Sequence, residues 1–595
     1  MPSFIFLFIS LSIPVFAQES LSPIEVRTSK NAEDFYSGSL EIIDQNEISK
    51  ASFNELTDIL SNVSGVTASS NGGPGSRTAF FIRGAESRHT AFSIDGLRLN
   101  DSSNTDRQFD GAFFNPHILS DIKIYKGPQS ILYGPDAMAG LVEMTTSKGN
   151  EKNETHFSLG GGSFETYKAF LMQDWGKGKN HGRVSAGYLF TEGISRLNKK
   201  RFNASEKDST RTYQITSSST HQFSHWKTDL LFGYNFGENE LDGFIDDNSH
   251  DISRANHFFI QQKSDLRLDS KNSLVLRTGQ SRYNRELHTL STGVNHYLGV
   301  VTQVDFYLDH RSKGSHFILG TGLDHEDFEI DRDFERSNTL ASGYFSHKLS
   351  HHIYEFSYGA RFDHHQRFGD LFTYSVSPAL NLGDVHLNYL YATGFKAPSL
   401  YQLYGPPIYG FPVGNRDLEA EESVSHSVNF SWASKLGELN ASLFSNQYKE
   451  LITYSMLGYL NQEDFKVEGI ELSFKSIINE WSFRPYFTVL HFKDNESHLL
   501  RRPENFWGLD LSWQATHALN IWSKFEYRGK SFDNDENGEK VKLSSYEKVD
   551  VGVSYSWREQ VLSLKVQNLF DRDYEQVYGM SVMPRSFMIE WSGRI

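Results

Sequence analysis

Twenty-three histidines are spread along this 595-residue chain, and two adjacent pairs, His351 with His352 and His364 with His365, raise the question of a metal site. Each pair falls in an alternating β segment. Neighbouring strand residues point to opposite faces, so neither pair chelates one ion. No HExxH pattern occurs and no Ser/His/Asp constellation is legible. Cysteine is absent, which removes disulfides, thiolate metal sites and a cysteine nucleophile. The residues that usually carry catalysis are therefore not arranged for it, and the chain reads as a non-enzyme. With 58 Lys and Arg against 74 Asp and Glu, the net charge of −16 also argues against nucleic acid, which needs a basic surface.

What the chain has in quantity is aromatic surface: 46 Phe, 28 Tyr and 9 Trp, 14 % of residues, at a mean hydropathy of only −0.48. A membrane-spanning β-barrel reconciles the two, because its strands alternate lipid-facing apolar with lumen-facing polar residues and carry aromatic girdles. A soluble β-rich protein is the alternative that composition leaves open. The long apolar run, residues 4–17 (FIFLFISLSIPVFA), is shorter than the roughly 20 residues a membrane helix needs. It reads as a signal peptide cleaved near Ala17, although no Lys or Arg precedes it. A membrane form must then be a closed barrel.

Four regions follow from pattern: a signal peptide (1–17), a short polar segment (18–37), a mixed α/β domain (38–149) and a long alternating region (150–595). In the α/β domain, strands are predicted at 40–43, 79–83, 91–94, 122–125 and 141–145. A helix is predicted over 54–60, with Leu56, Ile59 and Leu60 on one face. Beyond residue 150 no convincing amphipathic helix is visible. Val304, Phe306 and Leu308 alternate, turn at Ser312, Lys313 and Gly314, and resume at Phe317 and Leu319. A second such run, Leu439, Ala441 and Leu443, follows a turn at 435–437, and the last strand sets Phe587, Ile589, Trp591 and Ile595 on one face. Long polar stretches at 198–211 and 238–254 separate the hairpins. At roughly 20 residues per strand and connection, the region holds about 22 antiparallel strands, the size class of plugged transporters.

Specific motifs sharpen this. Residues 58–100 (DILSNVSGVTASSNGGPGSRTAFFIRGAESRHTAFSIDGLRLN) and 126–149 (KGPQSILYGPDAMAGLVEMTTSKG) carry five short motifs in order: DIL with GV, NGGxG, IRG, IDG, and GPxSxLYG with AxAG. Later come YATGFKAPSLYQLYG (391–405), GNRDLEAEES (414–423), VEGIELSF (467–474), LLRRPENF (499–506) and NLFDRDY (568–574). Together these resemble the TonB-dependent outer-membrane receptor family over nearly the whole chain after residue 17. The chain departs from the family in ending on Ile595, where an aromatic is usual.

The resemblance implies a 38–149 plug inside the barrel and import of a scarce nutrient powered through the periplasmic domain of TonB, by a monomer in the outer membrane of a Gram-negative bacterium. Ile24, Glu25, Val26, Arg27 and Thr28 are similar to a TonB box, which must be extended and unpaired to add as a strand to its partner. Arg83 and Lys126 match basic residues that pair with acids on the barrel wall. Glu471 matches one such acid. The second falls near Ser427, which cannot serve, leaving Glu421 or Glu422. The plug is most similar to the vitamin B12 (cobalamin) receptor subgroup, whose ligand-facing positions fall on Arg77, Ala79, Glu86, Asn104 and Thr105. Cobalamin or a related corrinoid is the implied cargo and a ferric siderophore the rival, with Tyr401, Tyr404 and Tyr409 suited to either. No permanent cofactor is implied. Calcium binds some of these receptors, and Asp242, Asp246, Asp247 and Asp251 form an acidic loop. The preceding loop, however, is Lys/Arg-rich where further acids are needed, and a solvated loop is the reading. A passive porin needs no plug, and residues 38–149 speak against it.

Overall fold

The computed structural model describes residues 35, 38–51, 55–149, 152–202, 204–243, 247, 251–289, 293–331, 334–408, 410–455, 457–493 and 499–595. The signal segment and residues 24–28 lie outside them.

From Thr155–Gly162 to Ser586–Arg594, 22 antiparallel strands form a closed barrel, sealed where the last strand pairs with the first from Met588 opposite Gly162 to Arg594 opposite His156. Closure leaves no unpaired strand edge, the condition for a sheet in lipid. The period-two pattern becomes two surfaces. On the last strand Phe587, Ile589 and Trp591 are 52, 51 and 45 % exposed, while Met588 is fully buried and Glu590 faces inward. There Glu590 accepts from Lys168 and Lys565, both at 2.9 Å, and from Ser158 at 2.6 Å. Turns at one end are short, as at 313–314 and 435–436. Those at the other end include long loops, as at 192–209, 397–420 and 529–545.

The plug fills the lumen. Its five-stranded sheet runs Ser39–Asp44, Leu119–Lys126, Gly140–Thr146, Thr90–Ile94, Leu97–Arg98, with Thr90–Ile94 and Gly140–Thr146 parallel. A separate hairpin pairs Val66–Ser70 with Thr78–Ile82. Ile59, Leu60, Phe80, Phe92, Ile124 and Val142 form its core, and that core continues into the wall through Phe444, Val467 and Phe506. Plug and wall are thus packed together as one interior.

Several expectations are corrected. The helix at 54–60 is Leu56–Leu60, and Asn54 lies outside the described residues. The polar stretches at 198–211 and 238–254 are not loops throughout. Thr210–Gln222, Trp226–Leu241 and Asp251–Arg267 extend into them, because strands that project beyond the apolar band need not be apolar. Two short helices in the barrel region, Lys199–Phe202 and Leu400–Tyr404, are too short to show a helical period. His352 lies in a turn at φ 52° rather than in a strand.

Candidate functional site

Arg83 follows the strand Thr78–Ile82 and takes φ 52°, with Gly84 next at φ 72°. This turn drives its side chain into the wall, fully buried. Nε and Nη2 donate to the two oxygens of Glu471 at 3.0 and 2.9 Å, Nη2 donates to Ser442 Oγ at 2.8 Å, and Nη1 donates to the Lys126 carbonyl at 3.3 Å. The guanidinium lies 4.3 Å from the centre of the Phe444 ring. Bidentate pairing is the geometry that makes a buried guanidinium tolerable. Lys126 Nζ donates to Ser64 Oγ at 2.8 Å and lies 3.4 Å from Glu41 and 3.8 Å from Glu471. Gly65 is required here, since a Cβ would stand 1.9 Å from Glu471 Oε1.

The structure therefore brings Arg83, Lys126 and Glu471 together, but the second carboxylate is neither Glu421 nor Glu422. Glu422 is exposed and Glu421 is engaged elsewhere. Lys126 uses Glu41, from the plug itself. At Ser427 a neutral chain replaces the acid: Ser442 Oγ donates to Asn429 Oδ1 at 2.7 Å, and Asn429 Nδ2 donates to Ser427 Oγ at 3.1 Å.

Nearer the long-loop end, an open pocket of about 330 Å³ lies between the plug apex and the wall. Arg77, Ala79 and Glu86 line it, with Arg88, Asp106 and Arg502 among their neighbours. Burial alone would raise the Glu86 carboxyl, but Arg88 at 2.9 Å and Arg502 at 3.4 Å hold it below its ordinary value. Arg77 Nη2 donates to Asn104 Oδ1 at 3.3 Å and lies 3.9 Å from Asp106. Asn104 is buried behind Arg77, and the Thr105 carbonyl accepts from Ser399 Oγ at 2.5 Å. Those two residues back the pocket rather than line it.

Among the further links that join plug and wall, two stand near the pocket; the sequence named Glu421 as a wall acid but with other partners, and did not name Arg107, Asp136, Glu326 or Lys396. Glu421 accepts from Arg88 at 2.9 Å and from the Ile452 amide at 2.8 Å, and its second oxygen lies 3.1 Å from His89 Nε2. Arg88 thus touches both the pocket acid Glu86 and the wall acid Glu421. Deeper, Arg107 pairs with wall Glu326 at 2.9 Å and with Asp136 at 3.2 Å, and wall Lys396 donates to Asp136 at 2.5 Å. Burial would raise the Asp136 carboxyl, but Arg107 and Lys396 hold it well below the carboxylate range. Lys396 stands in the GFKAP motif, the one sequence signal that could have pointed to this link.

At the loop end, carboxylate oxygens of Glu206, Asp208 and Asp242 lie within 4.8 Å of one another, and burial with Asp208 beside it pushes the Asp242 carboxyl up to about 7. Asp247 accepts from the Ser205 and Glu206 amides, Asp251 opens a strand, and Asp246 lies outside the described residues. The loop read as basic does supply acids: Lys200 and Arg201 turn away to Asp573 and Glu575.

The chain matches the family model described as "TonB dependent receptor-like, beta-barrel" over residues 154–569 and the "TonB-dependent Receptor Plug Domain" over 34–141. The vitamin B12 transporter BtuB of Photobacterium profundum is 23 % identical over 571 residues, covering 92 % of this chain and 91 % of the transporter. Among solved structures, a mutant of the ferric enterobactin receptor PfeA of Pseudomonas aeruginosa superposes with a TM-score of 0.80 at 17 % identity, covering 96 % of this chain and all of that one. The siderophore receptor PirA of Acinetobacter baumannii gives 0.80 at 16 %, over 96 % of this chain and 100 % of its own. The matched models span most of the sequence, and both domains stand in the structure as a closed 22-strand barrel and its internal plug: the chain belongs to the TonB-dependent receptor family.

Proposed function

We propose that this receptor is an energy-coupled importer of the outer membrane whose cargo is cobalamin or a related corrinoid. The observation that carries this reading is the apex pocket. Each of its four arginines has a carboxylate partner, Arg88 and Arg502 in Glu86, Arg77 in Asp106 and Arg501 in Asp533 behind the lining, with Glu421 a second partner of Arg88, so it offers hydrogen-bonding groups rather than unpaired charge. That suits a large, amide-rich ligand of low net charge. The full-length similarity to a vitamin B12 transporter supports the same cargo.

In this mechanism the ligand settles on Arg77, Ala79 and Glu86. Arg88 couples a shift of Glu86 to the wall through Glu421. Arg83 and Lys126 on Glu471 hold the plug at rest. Residues 24–28 then add as a strand to the periplasmic domain of TonB, and the energised partner remodels the plug to open a path. The signal peptide is removed near Ala17 on export, and the protein catalyses no reaction.

Equilibrium binding of cyanocobalamin to the detergent-purified protein, with ferric siderophores in parallel, tests the cargo. Saturable cyanocobalamin binding, weakened by Arg77→Ala and Glu86→Ala, is expected. Binding of a siderophore and not of cobalamin would overturn the cargo.

A further inference from the structure

Two sides of the plug meet the wall differently. Toward Gly437–Ser455, Gly458–Ile478 and Asn505–Gln514 its core continues into apolar wall residues, Phe444, Val467 and Phe506, with the Arg83–Glu471 pair beside them. Toward Asn272–Thr289, Gly293–Ser312, Ser315–Ile330 and Phe334–His351 the contact at mid-height is polar. There the Arg98 amide donates to Gln303 Oε1 at 2.9 Å, its guanidinium lies 3.2 Å from Asp324, and Arg277 Nη1 donates to the Gly96 carbonyl at 3.3 Å. Between these contacts is a cavity of about 50 Å³ whose lining includes Arg98, Leu132, Arg277, Asp305, Gly322 and Ser342. Arg277 Nε and the Ser93 hydroxyl beside it are buried and have no hydrogen-bond partner among the described residues. A space of this size and polarity holds a few waters. Polar contacts pass to water when two surfaces part, whereas parting the apolar side exposes its core.

Nearer the short turns, this cavity gives way to one apolar layer. On three of the strands the residue two places along from a lining residue is large and buried: Val275 after Arg277, Tyr307 after Asp305, and Tyr344 after Ser342. On the fourth, Ile318 takes the place beyond Gly320. The plug helix Ser130–Tyr133 meets this layer with Ile131 and Leu132. Phe35 completes it, 7 % exposed, with its ring centre 4.2 Å from that of His316. Phe35 is the first described residue and follows shortly after residues 24–28. A pull on that segment therefore reaches Phe35 before any other described side chain. The short turns face the periplasm in outer-membrane barrels, so the layer is the floor of the cavity on that side.

We propose that Phe35 is a latch on the periplasmic floor of this cavity, and that its withdrawal opens the route of the cargo along the wall from Asn272–Thr289 to Phe334–His351. The plug stays docked on its apolar side while this happens. The inference rests on the energy-coupled import proposed above, in which residues 24–28 take the pull. A single aromatic ring suits the task. It seals by burial, which is non-directional, so it leaves and returns without re-forming a particular hydrogen-bond geometry. The first load on the segment then moves one side chain rather than the folded sheet.

The chain has no cysteine, so single thiols can be introduced without background. Ser342→Cys places one in the cavity. Thr488→Cys places another on Trp481–Lys493, at a buried position that meets the plug at the Gly65 amide. The measurement is the rate at which a small charged methanethiosulfonate reagent modifies each thiol in the full-length, detergent-purified protein. Adding Phe35→Ala should raise the rate at Ser342→Cys about ten-fold or more, as loss of a buried aromatic implies for a local opening, and leave Thr488→Cys unchanged. Phe35→Leu, which keeps most of the bulk, should raise neither. An unchanged rate at Ser342→Cys, or an equal rise at both sites, in protein that keeps its heat-modifiable gel migration would overturn the latch. A reducible bismaleimide joining Phe35→Cys to His316→Cys tests the route. Energised uptake of cyanocobalamin should stop with the bridge in place and return on its reduction; uptake through the intact bridge would overturn the route. The thiol rates need no cargo, so a parent protein that takes up no cyanocobalamin would count against the proposed cargo and not against the latch.

Discussion

Arg83 is a fully buried charge shared between plug and wall, and its consequence can be measured. Glu471→Ala removes the bidentate carboxylate from a fully buried guanidinium, a loss of about 3–5 kcal/mol for a broken buried pair. Denaturant titration of the plug, followed by a probe on residue 83's hairpin, should show its midpoint fall while the barrel transition stays. An unchanged midpoint would mean that the pair contributes nothing net. A second residue gives a pH signature. Burial, followed by the nearby Asp58 charge, raises the Glu55 carboxyl from 4.5 to about 7. The folded plug then binds more protons than the unfolded chain between these values, so plug stability falls as pH rises from about 4.5 to 7. Glu55→Gln should flatten that slope; a slope identical to that of the parent protein would assign it to another group. The partner of Arg83 was legible because motif and charge sit together in VEGIELSF. The use of Glu41, the neutral chain through Ser427 and the roles of Glu421 and Asp136 were not, because each depends on which side chains of separate strands and loops share one height in the barrel.

Strands were legible wherever one face meets lipid and the other does not, since that contrast is written directly as alternation. It is why the turns at 313–314 and 435–436 and the last strand could be placed. Alternation fades where strands rise past the apolar band, and so Thr210–Gln222 and Asp251–Arg267 begin inside what read as loops. The helix Leu400–Tyr404 is defined by a capping box, in which Ser399 Oγ accepts from the Gln402 amide and the Gln402 side chain accepts from the Ser399 amide. The same Ser399 hydroxyl grips the Thr105 carbonyl of the plug. Ser399→Ala should cost about 1 kcal/mol at the helix and free the plug loop. Hydrogen exchange of the 103–107 amides would show this as faster exchange; unchanged rates would mean that Arg107 and Arg285 hold the loop without Ser399.

At the scale of the molecule, a closed 22-strand barrel holds a plug whose core continues into its wall. Composition and motif order made the architecture readable, and the strand number followed from length alone because barrel strands and turns repeat. The cargo was less readable, since it depends on a few side chains that loops bring together. Energised uptake of labelled cyanocobalamin into cells lacking their own receptor tests the central claim most directly, comparing the full chain with a form lacking residues 22–30, with and without TonB. The account predicts uptake only with the full chain and TonB present, and undiminished surface binding by the shortened form. Uptake that is indifferent to both deletions would contradict it and return the protein to the class of passive channels.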